Sequence, residues 1–407
     1  MTTLKYGRDS SVALDLSQTM LIGDKASGPG EPLADVTREV TQAFSQPLDL
    51  PPLAQMILPD DNIVVALEPG LPAAAKILAG VVTAIADAGV ALERLMILRT
   101  KDDRGVPNHR LLQRIPPALR NRLQLAVHDP EERTSLSYLA ASSADEPIYI
   151  NRHLCDADFL LPIGTLEPTR TLAYWGVHQS WFPTFADSET RERFQKPQSA
   201  LSAKQRESRR QECAEATWLV GALSTLQVVS AGGERLLRVL FGTPDAVARE
   251  GRKVCDQAWH FSVPRRASLV VAAIEGGPEQ QTWRNVARCL SSALAAVEDD
   301  GAIAICTELR EKLGPALRRL ARAESWEDAD RAVKKQKSRD ALVATQLLRA
   351  LRRVRVYLLS ELEEDVVEQL GLAYVACAEE ISRLSAKHDS CLVLGNAQHA
   401  RVAVKEA

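Results

Sequence analysis

The residues able to move protons or hold metals are few in this chain and thinly spread. Seven histidines stand at His109, His128, His153, His178, His260, His388 and His399. None forms HxH or HExxH, the spacings that bring two imidazoles to one ion from one strand or one helix face. His153 and Cys155 could share a metal, yet a pair just ahead of a strand is more often a satisfied core or edge feature. His178 and Ser180 offer an imidazole beside a hydroxyl, which invites a hydrolase reading. No GxSxG elbow is present to hold that hydroxyl as a nucleophile. Gly276 and Gly277 follow an apolar run as a phosphate-cradling turn would, but Pro278 comes next and no GxGxxG or P-loop lysine accompanies them.

The elements that must position these groups alternate in the manner of α/β proteins. Val12 to Leu16 reads as a strand and Gly28 to Pro32 as a loop. Ile63 to Leu67 is a continuous apolar run, suited to a strand buried on both faces. Ala73 to Ala88 has helical periodicity, and Leu95 to Leu98 is the next apolar run, which completes a βαβ unit. Further strands are expected at Leu123 to Val127 and Phe159 to Ile163, followed by a long polar segment from Ala186 to Trp218. The pattern restarts after Pro264, Arg265 and Arg266. Strands are read at Leu269 to Ile274, Gly301 to Cys306, Val354 to Leu359, Ser390 to Leu394 and Arg401 to Val404. Helices are read at Thr282 to Val297, Asp340 to Arg353, Glu364 to Leu370 and Glu379 to Ala386. Two α/β domains, 1–262 and 263–407, meeting near Phe261 to Arg266, are the economical division, with a ligand cleft at the strand carboxyl ends between them.

Composition narrows the class. A length of 407 residues exceeds what one core usually serves, and 45% apolar with 25% charged residues suits a folded globular chain. The net charge of −3 supplies no global field for nucleic acid or anionic lipid. Local basic runs, Arg349, Arg352, Arg353 and Arg355, and Lys334, Lys335, Lys337 and Arg339, read as solvated faces. Seven cysteines without a CxxC pair indicate a reduced, cytoplasmic chain and no zinc site. The first sixteen residues lack a signal-type apolar core, and no window approaches the roughly twenty apolar residues of a membrane span. Tyr174, Trp175, Trp181, Phe182 and Phe185 form the densest aromatic cluster, for which core packing is the default.

In order, spacing and several identities the chain resembles the nickel-dependent lactate racemase family. Tyr6 and Gly7 match the family's opening. Glu68, Pro69, Gly70, Leu71 and Pro72 stand where the family has Asp-His-Thr-Arg-Pro, and Thr100 to Arg104 where it has Thr-Gly-Phe-His-Arg. Glu167, Pro168 and Thr169 stand at its Glu-Ser-His, and Tyr174 to Ser180 at its Phe-Ser-Gly-Gly-Arg-Lys-Ser. Glu275 to Arg288 is similar to its Gly-Gly-Tyr-Pro-Leu-Asp-Gln segment and the helix after it. The resemblance implies two α/β domains, a lactate racemase-like fold, and a cleft in which the aromatic loop could stack on a base or pyridine.

In that family a lysine carries a nickel-pincer nucleotide, a histidine completes the nickel coordination, and two further histidines are the acid and base. Carried across, the lysine falls on Gln179 and the nickel histidine on Gln195, while the catalytic histidines fall on Asp103 and Thr169. An amide cannot form the covalent link, and a neutral hydroxyl is no general base. The family's Tyr-Gln pair becomes Trp283 and Arg284, and a nearby lysine becomes Ala287. No nickel-pincer nucleotide, no other cofactor and no metal site are therefore expected.

What the resemblance leaves in the cleft is a different polar set. Asp103, Glu167 and His178 are the candidate catalytic groups. Glu68, Arg104, Gln179, Trp283 and Arg284 are the candidates for binding substrate or an anion, since a guanidinium pairs bidentately with carboxylate or phosphate. Two readings stay open. One is a 2-hydroxy-acid racemase or epimerase-type protein, an isomerase by descent, that has lost nickel-dependent racemisation. The other is a non-catalytic homologue that binds a ligand or partner. A small anionic or hydroxy-acid ligand is expected, with neither nucleic acid nor membrane as partner.

Overall fold

The computed structural model describes residues 2–17, 20–101, 107–142, 145–169, 173–194, 202–334, 338 and 340–405. Two mainly parallel sheets carry the chain. The first has the spatial order Arg235–Gly242, Thr225–Gly232, Phe159–Thr169, Ile63–Leu67, Leu95–Thr100 and Gln124–His128, with Ala173–Trp175 paired to Phe159–Thr169. Its central members are buried on both faces, every residue of Ile63–Leu67 being buried. That is why their sequence is continuously apolar rather than alternating. Helices Val36–Ser45 and Ala74–Asp87 cover one face through Val40, Phe44, Ile77 and Val81. The other face packs on Trp181, Phe182 and Phe185 and on Cys213 and Ala216 of helix Ala203–Leu219. Those three aromatic residues are core, as the default reading has it; the side chains of Tyr174 and Trp175 lie outside the described set.

The second sheet is wholly parallel: Ala373–Val375, Arg355–Leu359, Val297–Cys306, Ala267–Ala273, Cys391–Leu394 and Leu21–Lys25. Helices Trp283–Ala293, Pro315–Ala321 and Ala341–Leu351 fill one side of it. The hairpin Thr2–Tyr6 with Ser10–Leu14 and helix Ala378–Ser385 fill the other through Leu4, Val12, Leu14 and Ile381. Two short strands, His260–Val263 and Arg401–Val404, pair alongside.

This topology corrects the division at 262/263. Residues 2–25 belong with the second sheet, because Leu21–Lys25 takes the edge beside Cys391–Leu394 and the first hairpin buries its apolar side chains there. The segment that builds the first sheet is thus inserted between the first and later strands of the second. Among the described residues no helix is long and apolar enough to cross a membrane.

Candidate functional site

Each sheet has a point where its connections part company, and such switch points open a crevice at the carboxyl ends of the strands. In the first sheet the chain leaves Ile63–Leu67 toward Leu95–Thr100 on one side, while Phe159–Thr169 leads to Thr225–Gly232 on the other. Glu68 follows the first central strand and Glu167 sits on the second, so both carboxylates stand at the divide. In the second sheet, Ala267–Ala273 lies between Val297–Cys306 and Cys391–Leu394. The loops after Ala267–Ala273 and Cys391–Leu394 carry Glu275 to Thr282 and Gly395 to Ala400.

The two divides face one another. Glu167 Oε2 is 2.5 Å from Arg288 Nη1, and its Oε1 is 3.1 Å from His399 Nδ1. Arg288 comes from helix Trp283–Ala293 and His399 from the loop after Cys391–Leu394, so one first-sheet carboxylate is gripped by two second-sheet groups. Glu167 is 7% exposed. Burial by itself would raise its pKa; the charges of Arg288, His399 and Arg284 overcome that and hold the carboxyl at about 2. The imidazole contact is in ion-pair range, but its angle falls short of a hydrogen bond. Arg284 lies one helical turn before Arg288. Its guanidinium meets solvent yet is ringed by protein, as at the bottom of a crevice. Crowding by protein and the like charge of Arg288 lower its pKa, while Glu68 and Glu167 oppose the shift.

Glu68 is fixed by accepting the backbone N–H of Thr165 at 2.7 Å. The segment Gly176–Ser180 folds over the same strand. Gly176 has φ 117°, and a Cβ there would stand 2.7 Å from the Thr165 carbonyl, so only glycine admits this approach. Val177 follows with φ 53°, a left-handed conformation that is costly for a β-branched residue. The turn buries Gln179, whose Oε1 has no hydrogen-bond partner among the described residues. Ser180 donates to Val177 O at 2.8 Å and accepts Gln227 Nε2 at 3.2 Å, which makes it a structural hydroxyl.

His178 turns toward helix Ala203–Leu219, where its Nδ1 lies 3.0 Å from Thr217 Oγ1. That hydroxyl donates to Cys213 O and accepts the indole N–H of Trp181. Its one proton being committed, it accepts from His178, which puts the imidazole proton on Nδ1 and leaves Nε2 basic. Burial lowers the pKa of this ring, with Asp245 opposing.

The structure brings Glu68, Glu167 and Arg284 to one crevice and sets Gln179 in the turn above the same strand. Trp283 goes elsewhere. Its indole is buried in the second sheet's core and donates to Glu311 O at 2.9 Å, while its backbone N–H donates to the Glu311 carboxylate at 2.7 Å. It starts the helix that bears Arg284 and is spent on packing. Asp103, Arg104 and Gln195 lie outside the described residues, as does the side chain of Thr169. Sequence reasoning missed Arg288 and His399. Four-residue spacing from Arg284 on a recognised helix was the available signal for Arg288; His399 had only its place after a buried strand.

Other contacts close the crevice wall. Arg235 Nη2 meets Glu275 Oε2 at 2.6 Å, and Gln280 Nε2 donates to Gly70 O at 3.1 Å. Gly233 and Gly276 pass backbone to backbone, where a Cβ on Gly276 would stand 3.1 Å from the Gly233 Cα. Gly276 therefore serves this close passage. Among the described residues no three of His, Cys, Asp and Glu cluster as a metal set, and Cys155 is an exposed free thiol.

Comparison with known proteins bears on the fold. Residues 6–196 match the lactate racemase N-terminal domain family. The lactate racemase apoprotein from Thermoanaerobacterium thermosaccharolyticum superposes with a TM-score of 0.80 at 18% identity, covering 99% of each chain. A Thermotoga maritima protein superposes with a TM-score of 0.70 at 14% identity, covering 93% of this chain and 100% of the other. No curated protein matches the sequence.

Proposed function

We propose, from the premise that residues 6–196 belong to the lactate racemase N-terminal domain family, that this chain binds a small hydroxy acid in the interdomain crevice and does not carry out nickel-dependent racemisation. The residues present do not fit the family's cofactor. Its attachment needs a lysine amine, and the position that resemblance gives it holds Gln179, a buried amide whose carbonyl oxygen has no partner among the described residues. No step is therefore routed through that group.

The observation that carries the proposal is the grip on Glu167 with Arg284 beside it in the crevice. A guanidinium that meets solvent between two carboxylates is suited to a ligand carboxylate, and the Glu68 carboxylate beside it is suited to accept from a hydroxyl. Glu167, held at about 2, acts as a fixed charge rather than as a proton carrier. The proton-carrying part falls to the imidazole of His399, which lies against Glu167. A second reading, a non-catalytic binding homologue, is favoured by the internal matching of charge: Glu68 and Glu167 already face Arg284 and Arg288.

Two measurements test this. Protein purified from its own host, with the cofactor pathway present, should carry no nucleotide adduct by intact mass and no stoichiometric nickel. Calorimetry with D- and L-lactate should show binding that Arg284→Gln weakens at least tenfold. An adduct on any lysine together with nickel and interconversion of the enantiomers would overturn the proposal. Exchange of the lactate C2 hydrogen in D2O without nickel favours the enzyme, and binding without exchange favours the non-catalytic homologue.

A further inference from the structure

At the opposite, amino-terminal end of the second sheet lies a cavity of about 580 Å³ that the crevice does not use. Helix Ala341–Leu351 and the residues after it supply Gln346, Arg349 and Arg353, spaced three and four apart and so on one helix face. Arg266 faces them from the segment before Ala267–Ala273, and Ser291 from helix Trp283–Ala293. Two of the three guanidiniums are held in place. Arg353 donates to Leu294 O and Val297 O and pairs with Asp299 at 2.5 Å. Arg266 donates from one nitrogen to Ala295 O and Val297 O. Those carbonyls are neutral, so the Arg266 charge is not cancelled, and its other N–H groups keep their capacity. Arg349 is exposed and pairs with no carboxylate among the described residues. Among the described residues the one carboxylate paired with any of these three arginines is Asp299, on Arg353.

Gln346 supplies the second observation. It is 8% exposed, lines the cavity, and its amide makes no hydrogen bond among the described residues. Its amide atoms are not among those shut off from solvent without a partner, so the little of this side chain that is exposed is open to a ligand at the cavity.

We infer that this cavity is a binding site for a phosphorylated small molecule, separate from the interdomain crevice. Positive charge in excess of one calls for an anion of charge above one, which a phosphate group provides at neutral pH. The forked guanidinium donors suit its oxygens. Ser291 and Gln346 add neutral hydrogen-bonding groups for the rest of the ligand, and the volume lies within the range of small-ligand sites. Arg266 and Arg353 are already immobilised on backbone carbonyls, so little ordering remains to oppose binding.

Calorimetry on the full chain with inorganic pyrophosphate tests the site, with citrate as the carboxylate control. One saturable site per chain is expected, weakened at least tenfold by Arg349→Ala and severalfold by Gln346→Leu, with citrate binding more weakly than pyrophosphate. Arg349 is exposed, so its replacement leaves folding intact. No saturable binding, or affinity indifferent to Arg349→Ala, overturns the inference. Loss of pyrophosphate binding in Arg284→Gln with retention in Arg349→Ala would move the anion to the crevice and overturn it as well, and so would citrate binding more tightly than pyrophosphate.

Discussion

The two ends of the second sheet treat their arginines in opposite ways. At the carboxyl end Arg284 and Arg288 face Glu68 and Glu167, with His399 closing the group. At the amino end Arg266, Arg349 and Arg353 line one cavity, and among the described residues only Arg353 is paired with a carboxylate, that of Asp299. Charge in the first place is matched between groups of the two sheets; in the second it is left in surplus beside one sheet. The contrast separates arginines spent on carboxylates across the two sheets from a cluster in which Arg266 and Arg353 rest mainly on backbone carbonyls and Arg349 is exposed.

Removing Glu167 is the strongest way to break this contrast. Glu167→Ala leaves Arg288 and His399 facing one another in a largely buried site without their carboxylate. Breaking such a pair costs roughly 3–5 kcal/mol, and urea unfolding should show a loss near the lower end because Arg288 keeps some solvent contact. An unchanged midpoint would mean that the grip contributes nothing to docking.

Acid titration is the next largest effect. The folded carboxyl of Glu167 is held at about 2, below an unfolded value of roughly 4.3. Its stabilisation is therefore complete above the unfolded value and is lost as pH falls from about 5 toward 2. A shift of that size corresponds to about 3 kcal/mol. Subtracting the curve of Glu167→Gln from that of the wild type should reveal it, and parallel curves would refute the assignment.

A smaller effect is expected where the helix bearing both crevice arginines begins. Thr282 caps it by accepting Asn285 N–H at 3.2 Å. Thr282→Ala should cost about 1 kcal/mol and weaken lactate binding through Arg284. A stability loss with lactate affinity unchanged would show that the cap does not position the crevice. The smallest effect belongs to the amino end: Arg349→Ala should leave stability within about 0.5 kcal/mol. A larger loss in thermal unfolding would mean that this guanidinium is structural.

What the sequence made legible follows from how local each signal was. Ile63–Leu67, Ala74–Asp87, Ala267–Ala273 and Cys391–Leu394 lie where apolar runs and helical period put them, because burial on two faces writes itself into consecutive residues. Leu21–Lys25 went unread as a strand. Its partner is Cys391–Leu394 at the far end of the chain, and its own exposure is that of an edge. Within the site, Glu68, Glu167 and Arg284 were read through resemblance and come together. Trp283 was assigned to the cleft from the same alignment, yet a helix changes direction by about 100° per residue, so its neighbour Arg284 reaches the crevice while the indole turns to the core. His399 could not be read, since its partner Glu167 is on the other domain and nothing nearby in sequence announces the pair.

The strand Leu21–Lys25 also sets an order of events. Synthesis delivers it early, but the strand it pairs with emerges only after nearly all the rest of the chain. The inserted segment that builds the first sheet can collapse on its own as it leaves the ribosome, whereas the flanking pieces must wait for one another. Once joined, the inserted body is tethered at both its beginning and its end, like a page held by two rings. Both ends of the inserted segment thus run into the body that carries Arg288 and His399, the groups that hold Glu167.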